Sequence, residues 1–135
     1  MENYMSNPNE PIVRIAIVDD DRMLLNVFSS MMRHTQYHTH FFSGPKKALE
    51  EISAVKGHYH LLISDLWMPE MNGIELARKV RIAEPTLPII LMTGDATDEM
   101  REAAKNLGRV VFLEKPFPLE STLKEFIPKF LKGEI

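Results

Sequence analysis

Cysteine is absent from this chain. Without a thiol there is no disulfide and no thiolate zinc site, so burial and hydrogen bonding must hold the fold, and a reducing compartment suits it. Long apolar runs are missing too, since none approaches the roughly 20 residues that a membrane-spanning helix needs. A large excess of one charge is missing as well: the net charge is -3, and Lys and Arg are scattered singly or in pairs. That excludes the basic footprint of a nucleic-acid binder. The first stretch, MENYMSNPNEP, is polar and acidic, with neither the basic nor the apolar region of a signal peptide.

What remains is an ordinary globular composition, 44% hydrophobic and 26% charged over 135 residues. One domain with a real core fits that length. Residues 1–10 read as a loose arm, 11–132 as the domain and 133–135 as a tail.

Five short apolar runs recur along it: IVRIAIV (12–18), HTHFF (38–42), HLLIS (60–64), LPIILM (87–92) and VVFLE (110–114). Several are β-branched and nearly continuous, as in strands covered on both faces. Amphipathic stretches separate them. Leu24, Val27, Phe28 and Met31 form one stripe of a first helix. A second opens at Ser43-Gly44-Pro45 and turns Leu49, Ile52 and Val55 inward. A third follows Gly73 with Leu76, Ala77 and Val80. A fourth has Thr97 as N-cap and stops before Gly108. The last carries Leu119, Leu123, Phe126, Ile127 and Phe130, and Pro128 should kink or shorten it. Five strand–helix alternations predict a (βα)5 α/β fold, a doubly wound parallel sheet with helices on both faces.

The ends of the apolar runs carry the chemistry. Asp19, Asp20 and Asp21 follow the first, Asp65 the third, Thr93 the fourth and Lys115 the fifth. In a parallel sheet these residues share one edge, where α/β folds bind ligands. Two carboxylates ~4 Å apart repel by roughly 4 kcal/mol at an effective dielectric of about 20. One lysine cannot neutralise several acids, so a divalent cation is implied, and hard oxygen donors favour Mg²⁺. Thr93 and Lys115 are then placed to hold phosphate oxygens. A carboxylate can serve as the nucleophile, and Asp65, isolated among apolar and turn residues, is the candidate. Taken singly, each piece has a plainer reading as a turn residue or helix cap. Their joint occurrence at successive strand ends weakens that reading.

IVDDD, SDLWMPEMNG, LMTGDA and FLEKPF together resemble the signature of the receiver domain of two-component response regulators, over roughly residues 11–132. The resemblance implies the flavodoxin-like strand order 2-1-3-4-5, which a chemotaxis regulator of that family exemplifies. It implies that Asp65 is the phosphoacceptor. Asp20, Asp65 and the backbone carbonyl of Trp67 would bind Mg²⁺, with Asp19 acting partly through water. Thr93 would bond the phosphoryl group, Lys115 would pair with it, the Lys115-Pro116 bond would be cis, and Phe112 occupies the switch position. Trp67 is bulkier than the usual polar occupant of its position. Gly94 and LGRVV also depart from the pattern, without touching a chemical role.

As a family member the chain would be a cytoplasmic, stand-alone receiver and not a turnover enzyme. It would take phosphate from a sensor histidine kinase or a histidine phosphotransfer protein. Its effector would meet the face of the fourth helix, fifth strand and fifth helix, with no direct contact to nucleic acid or membrane. A haloacid-dehalogenase-type phosphatase is a rival, offering Asp19-Asp20-Asp21, Thr93, Lys115 and GDATD (94–98). Met23 stands where Thr or Val belongs, however, and GDATD precedes Lys115 instead of following it. A receiver-like module that acts without phosphorylation is the other rival, but it would be expected to lack one of the residues retained here.

His38 and His40 share a strand face and His58 and His60 are spaced alike, yet they read as edge and loop residues, with nothing to bring the pairs together. Met23, Met31 and Met32 read as core filler. Met68 and Met71 should pack beneath the Pro69 turn.

Overall fold

The computed structural model describes residues 11–114 and 121–135. The arm at 1–10, Lys115 with its Pro116 bond, and Leu119 lie outside the described residues. So does the side chain of Leu123.

The strands are β1 (Arg14–Val18), β2 (His38–Phe42), β3 (Leu61–Asp65), β4 (Ile89–Thr93) and β5 (Val110–Glu114). Between them run α1 (Arg22–Met32), α2 (Pro45–Ala54), α3 (Gly73–Ala83) and α4 (Asp98–Leu107). The chain ends in a π-helical turn, Thr122–Phe126, that runs into α5 (Ile127–Leu131). All pairings are parallel, and the sheet order is β2-β1-β3-β4-β5. The expected order is therefore observed, and the chain switches direction across the sheet between β1 and β3.

Burial follows from this order. β1, β3 and β4 lie inside the sheet, and the apolar residues of β3 and β4 are all buried. β2 and β5 are edges, and their burial falls accordingly. Alternate residues feed two cores. Ile15, Ile17, Ile63 and Met92 pack with α1 and α5 on one face. Ala16, Leu62, Ile89 and Leu91 pack with α2, α3 and α4 on the other.

The helix stripes depart from expectation in two places. On α1 the buried residues are Leu25, Phe28 and Met32, while Leu24 and Met31 are half-buried and Val27 is exposed. Helical spacing alone fits either stripe, and the docking angle onto the sheet chooses between them. Met23 is 79% exposed, so it is not core filler. On α2, Ala48 and Ile52 are buried, but Val55 is 58% exposed because the helix stops at Ala54 and Val55 is already extended. On α3 the expected Leu76, Ala77 and Val80 are all buried.

The caps agree with the expected boundaries. Thr97 Oγ1 accepts from the Met100 N–H at 3.1 Å, and Gly108 closes α4 at φ 75°. Pro128 sits in the first turn of α5, where its missing N–H is tolerated, and the π-helical turn precedes it. Met68 and Met71 are buried, as expected of residues under the Pro69 turn.

The histidines do not stay apart as expected. Tyr59 brings one member of each pair together: its ring meets His40 at 5.5 Å and His58 at 5.0 Å, both edge-on, and His40 lies 6.3 Å from His58. His60 Nδ1 instead accepts the Arg14 N–H at 2.9 Å. These contacts are packing and sheet-end hydrogen bonding. Among the described residues the one group of three or more potential metal ligands lies elsewhere.

Candidate functional site

That group is Asp19, Asp20 and Asp65, from which one carboxylate oxygen each lies within 4.8 Å of the others. The fold explains the convergence. β1 and β3 are adjacent and parallel, so Asp19 and Asp20, just past β1, meet Asp65, the last residue of β3. Asp19 is 1% exposed, and its backbone N–H extends the ladder to Phe42 O at 3.0 Å. Its Oδ1 accepts from the Asp21 N–H at 2.8 Å.

Like charges at such separations repel by roughly 3 to 4 kcal/mol per pair at an effective dielectric of about 20. Anionic oxygens with no nitrogen or sulfur donor among them fit a hard divalent cation, and Mg²⁺ most naturally. Asp21 stands apart. Its Oδ1 accepts from the N–H groups of Met23 and Leu24 at 3.0 and 3.3 Å, which makes it the N-cap of α1 and no part of the acidic group.

A glycine seats the carboxylate of β3. A Cβ built on Gly73 would lie 2.9 Å from the Asp65 carbonyl oxygen and 3.0 Å from Leu91 Cδ2. Any side chain there would push on the backbone of Asp65. The Gly73 N–H also donates to Leu66 O at 2.7 Å, folding the MPEMN loop back beneath the strand end. Asn72 Oδ1 accepts from the Glu75 N–H and Glu75 Oε1 accepts from the Asn72 N–H, a capping box that starts α3 at Gly73. In the sequence Gly73 reads only as a helix boundary. Its sole signal is a glycine at the first helical position, where packing must favour it.

Thr93 ends β4 next to the same edge and is 1% exposed. Its hydroxyl accepts from the Asp95 N–H at 3.0 Å and lies 3.4 Å from Asp95 Oδ1. Trp67, 47% exposed, donates from Nε1 to that same Asp95 Oδ1 at 2.8 Å. A hydrogen bond thus joins the residue two past Asp65 to the residue two past Thr93, across the mouth between β3 and β4. Lys115 follows Glu114, the last residue of β5, and lies outside the described residues.

Phe112 sits on β5 beside Leu91 of β4, half-buried, and Glu114 pairs in register with Thr93. The Arg101 guanidinium of α4 lies over the Phe112 ring, 5.3 Å from its centre, and contacts Glu114. Nothing in the sequence marks Arg101, because it and Phe112 are far apart in the chain.

Residues 15–127 match the family model of the response regulator receiver domain. The two-component response regulator ARR12 of Arabidopsis thaliana is 33% identical over 108 residues, which span 80% of this chain and 18% of the relative. The response regulator ArlR of Staphylococcus saprophyticus is 30% identical over 112 residues, 83% of this chain and 50% of ArlR. The chain therefore spans half or less of these curated relatives. Among solved structures, a CheY-like receiver domain from Methanospirillum hungatei superposes with a TM-score of 0.81 at 25% identity, covering 93% of this chain and all of that one. Vibrio cholerae CheY4 gives 0.76 at 25% identity over 87% of this chain and 98% of its own. With its sheet order, its acidic edge and these matches, the chain belongs to the response regulator receiver domain family.

Proposed function

We propose that this receiver is a phosphorylation switch in which Asp65 accepts a phosphoryl group from a phosphohistidine on a sensor kinase or phosphotransfer protein. The observation that carries this reading is the meeting of Asp19, Asp20 and Asp65 at the carboxyl ends of β1 and β3. A carboxylate oxygen of Asp65 forms the new P–O bond while the donor's P–N bond breaks, and the imidazole leaves with a proton. Asp19, Asp20, Asp65 and the backbone carbonyl of Trp67 would hold Mg²⁺. When bound, the ion neutralises charge shared between the carboxylates and the phosphoryl oxygens. Thr93 donates its hydroxyl to a phosphoryl oxygen, which requires it to turn from Asp95. Lys115 supplies the balancing cation.

The product is an acyl phosphate, so the mark decays by hydrolysis and the chain turns over no other substrate. The output is a change in the face formed by α4, β5 and α5, where Phe112 lies one strand from Thr93, and an effector protein reads it. The setting is the cytoplasm, where such kinases use ATP. The haloacid-dehalogenase alternative fares worse, because its tandem acids would include Asp21, which caps α1.

Incubation of the chain with acetyl phosphate and Mg²⁺ should add one phosphoryl mass, abolished by Asp65→Asn. An Asp65→Asn variant that is still labelled, or a label mapped to Asp19 or Asp21, overturns the assignment.

A further inference from the structure

Arg101 lies in the first half of α4, yet its guanidinium reaches across to β5. Its Cζ sits 5.3 Å from the Phe112 ring centre, and Nη2 lies 2.5 Å from Glu114 Oε1. Phe112 and Glu114 are two residues apart on one strand, so they project to the same face. Their register partners on β4 are Leu91 and Thr93. One side chain therefore ties α4 to the stretch of β5 that lies alongside the candidate phosphate-binding hydroxyl. Phe112 is only half-buried beneath it, packed against Leu91's core cluster together with Met100 and Ala103.

Two weak contacts share one cation here, a cation–π contact and a partly exposed ion pair. The guanidinium plane suits both, because it can lie flat over a ring while its edge meets a carboxylate. A ring that moves away from β5's outer face leaves Arg101 with the ion pair alone. A strand end that shifts with Thr93 disturbs the ion pair as well.

We propose that Arg101 is a positioning residue that holds the unmodified conformation: it pins Phe112 under its guanidinium and Glu114 at its edge, and modification at Asp65 must open this clamp to remodel the α4–β5 face. The inference rests on the phosphorylation reading above and names a restraint against which that switch works. Since ligand and clamp favour different conformations, removing the clamp strengthens binding of the ligand by the same factor that it releases the conformation. An exposed cation–π contact corresponds to about a two- to fivefold change.

The test is calorimetric titration of the full chain with beryllofluoride in the presence of Mg²⁺, the beryllofluoride standing in for the phosphoryl group on Asp65. Arg101→Ala should bind about two- to fivefold more tightly than the wild type, and Arg101→Lys, which keeps the charge without the plane, should fall between. A purely structural role predicts no gain, because a destabilised fold binds no better. Unchanged or weaker binding by Arg101→Ala, with the wild type binding normally, overturns the clamp and leaves the phosphorylation reading intact. A wild type that does not bind at all overturns both. In a Phe112→Ala background the Arg101→Ala gain should shrink to the part that the Glu114 ion pair contributes. A gain that is undiminished there overturns Phe112 as the group being held.

Discussion

Trp67 should set how long the phosphorylated state lasts. Hydrolysis of the acyl phosphate on Asp65 needs a water in line with the bond and opposite the leaving carboxylate. The indole follows β3 by two residues and is moored by its Nε1 to Asp95 Oδ1 at 2.8 Å, so it bridges to the loop after β4. A ring packed only on the Met68-Pro69 turn would not make that bond. Hydrogen bonds to charged groups are worth about 1.5–3 kcal/mol, and a side chain this exposed calls for a discount to about 1 kcal/mol. If water entry must break this bond, the rate falls about fivefold. Replacement by Asn removes both the ring and the tether, so phosphorylated Trp67→Asn should decay about fivefold faster than wild type, with Asp65 the acceptor in both. Trp67→Phe keeps an apolar ring without the donor and should lie between. The assay is single-exponential decay of purified phosphoprotein after removal of the donor, followed by intact mass. Decay of the wild type at the same rate as the Asn variant, or faster, refutes the shield.

Three further outcomes follow from particular contacts. Gly73→Ala places a methyl 2.9 Å from Asp65 O and should cost about 1–3 kcal/mol in urea unfolding, with slower labelling by acetyl phosphate; a variant as stable as wild type would show that the loop yields freely. The Tyr59 hydroxyl is buried with no hydrogen-bond partner among the described residues. Tyr59→Phe should therefore be neutral or raise stability, by up to about 1–3 kcal/mol, and a loss of more than about 1 kcal/mol would show that the hydroxyl is bonded after all. Burial first, then Arg14 and His58, push His60 below the ordinary histidine value of 6.5. Because the folded state resists protonation, its stability should be complete above 6.5 and decline as pH falls through the lowered value, where the Nδ1 acceptor of the Arg14 N–H is lost. His60→Asn should flatten that decline in thermal unfolding scans, and an identical slope counts against His60 as its source.

Much of the architecture was legible in the residues themselves. Nearly continuous β-branched runs fit strands covered on both sides, and Pro45, Thr97 and Gly108 mark helix ends through backbone chemistry that acts locally. The acids were legible too, since a parallel sheet carries every strand's carboxyl end to one edge. Asp65 could thus be singled out at the end of LLIS, and Asp19, Asp20 and Asp21 placed together after IAIV.

What the tertiary structure decided lies between elements. Helical periodicity fits several stripes, so only docking onto the sheet could bury Leu25 and Met32 and leave Met23 and Val27 in solvent. Among three consecutive acids, the path of the chain into α1 assigned Asp21 to the cap and left Asp19 and Asp20 facing Asp65. The contact of Gly73 with the Asp65 carbonyl, the Trp67–Asp95 bond and the seat of Arg101 over Phe112 each join segments with no periodic relation in the chain. Local propensity and patterning act over a few residues and so can be read from the sequence. Side-chain partners across loops and sheet edges depend on how whole elements pack, and that is a property of the folded chain alone.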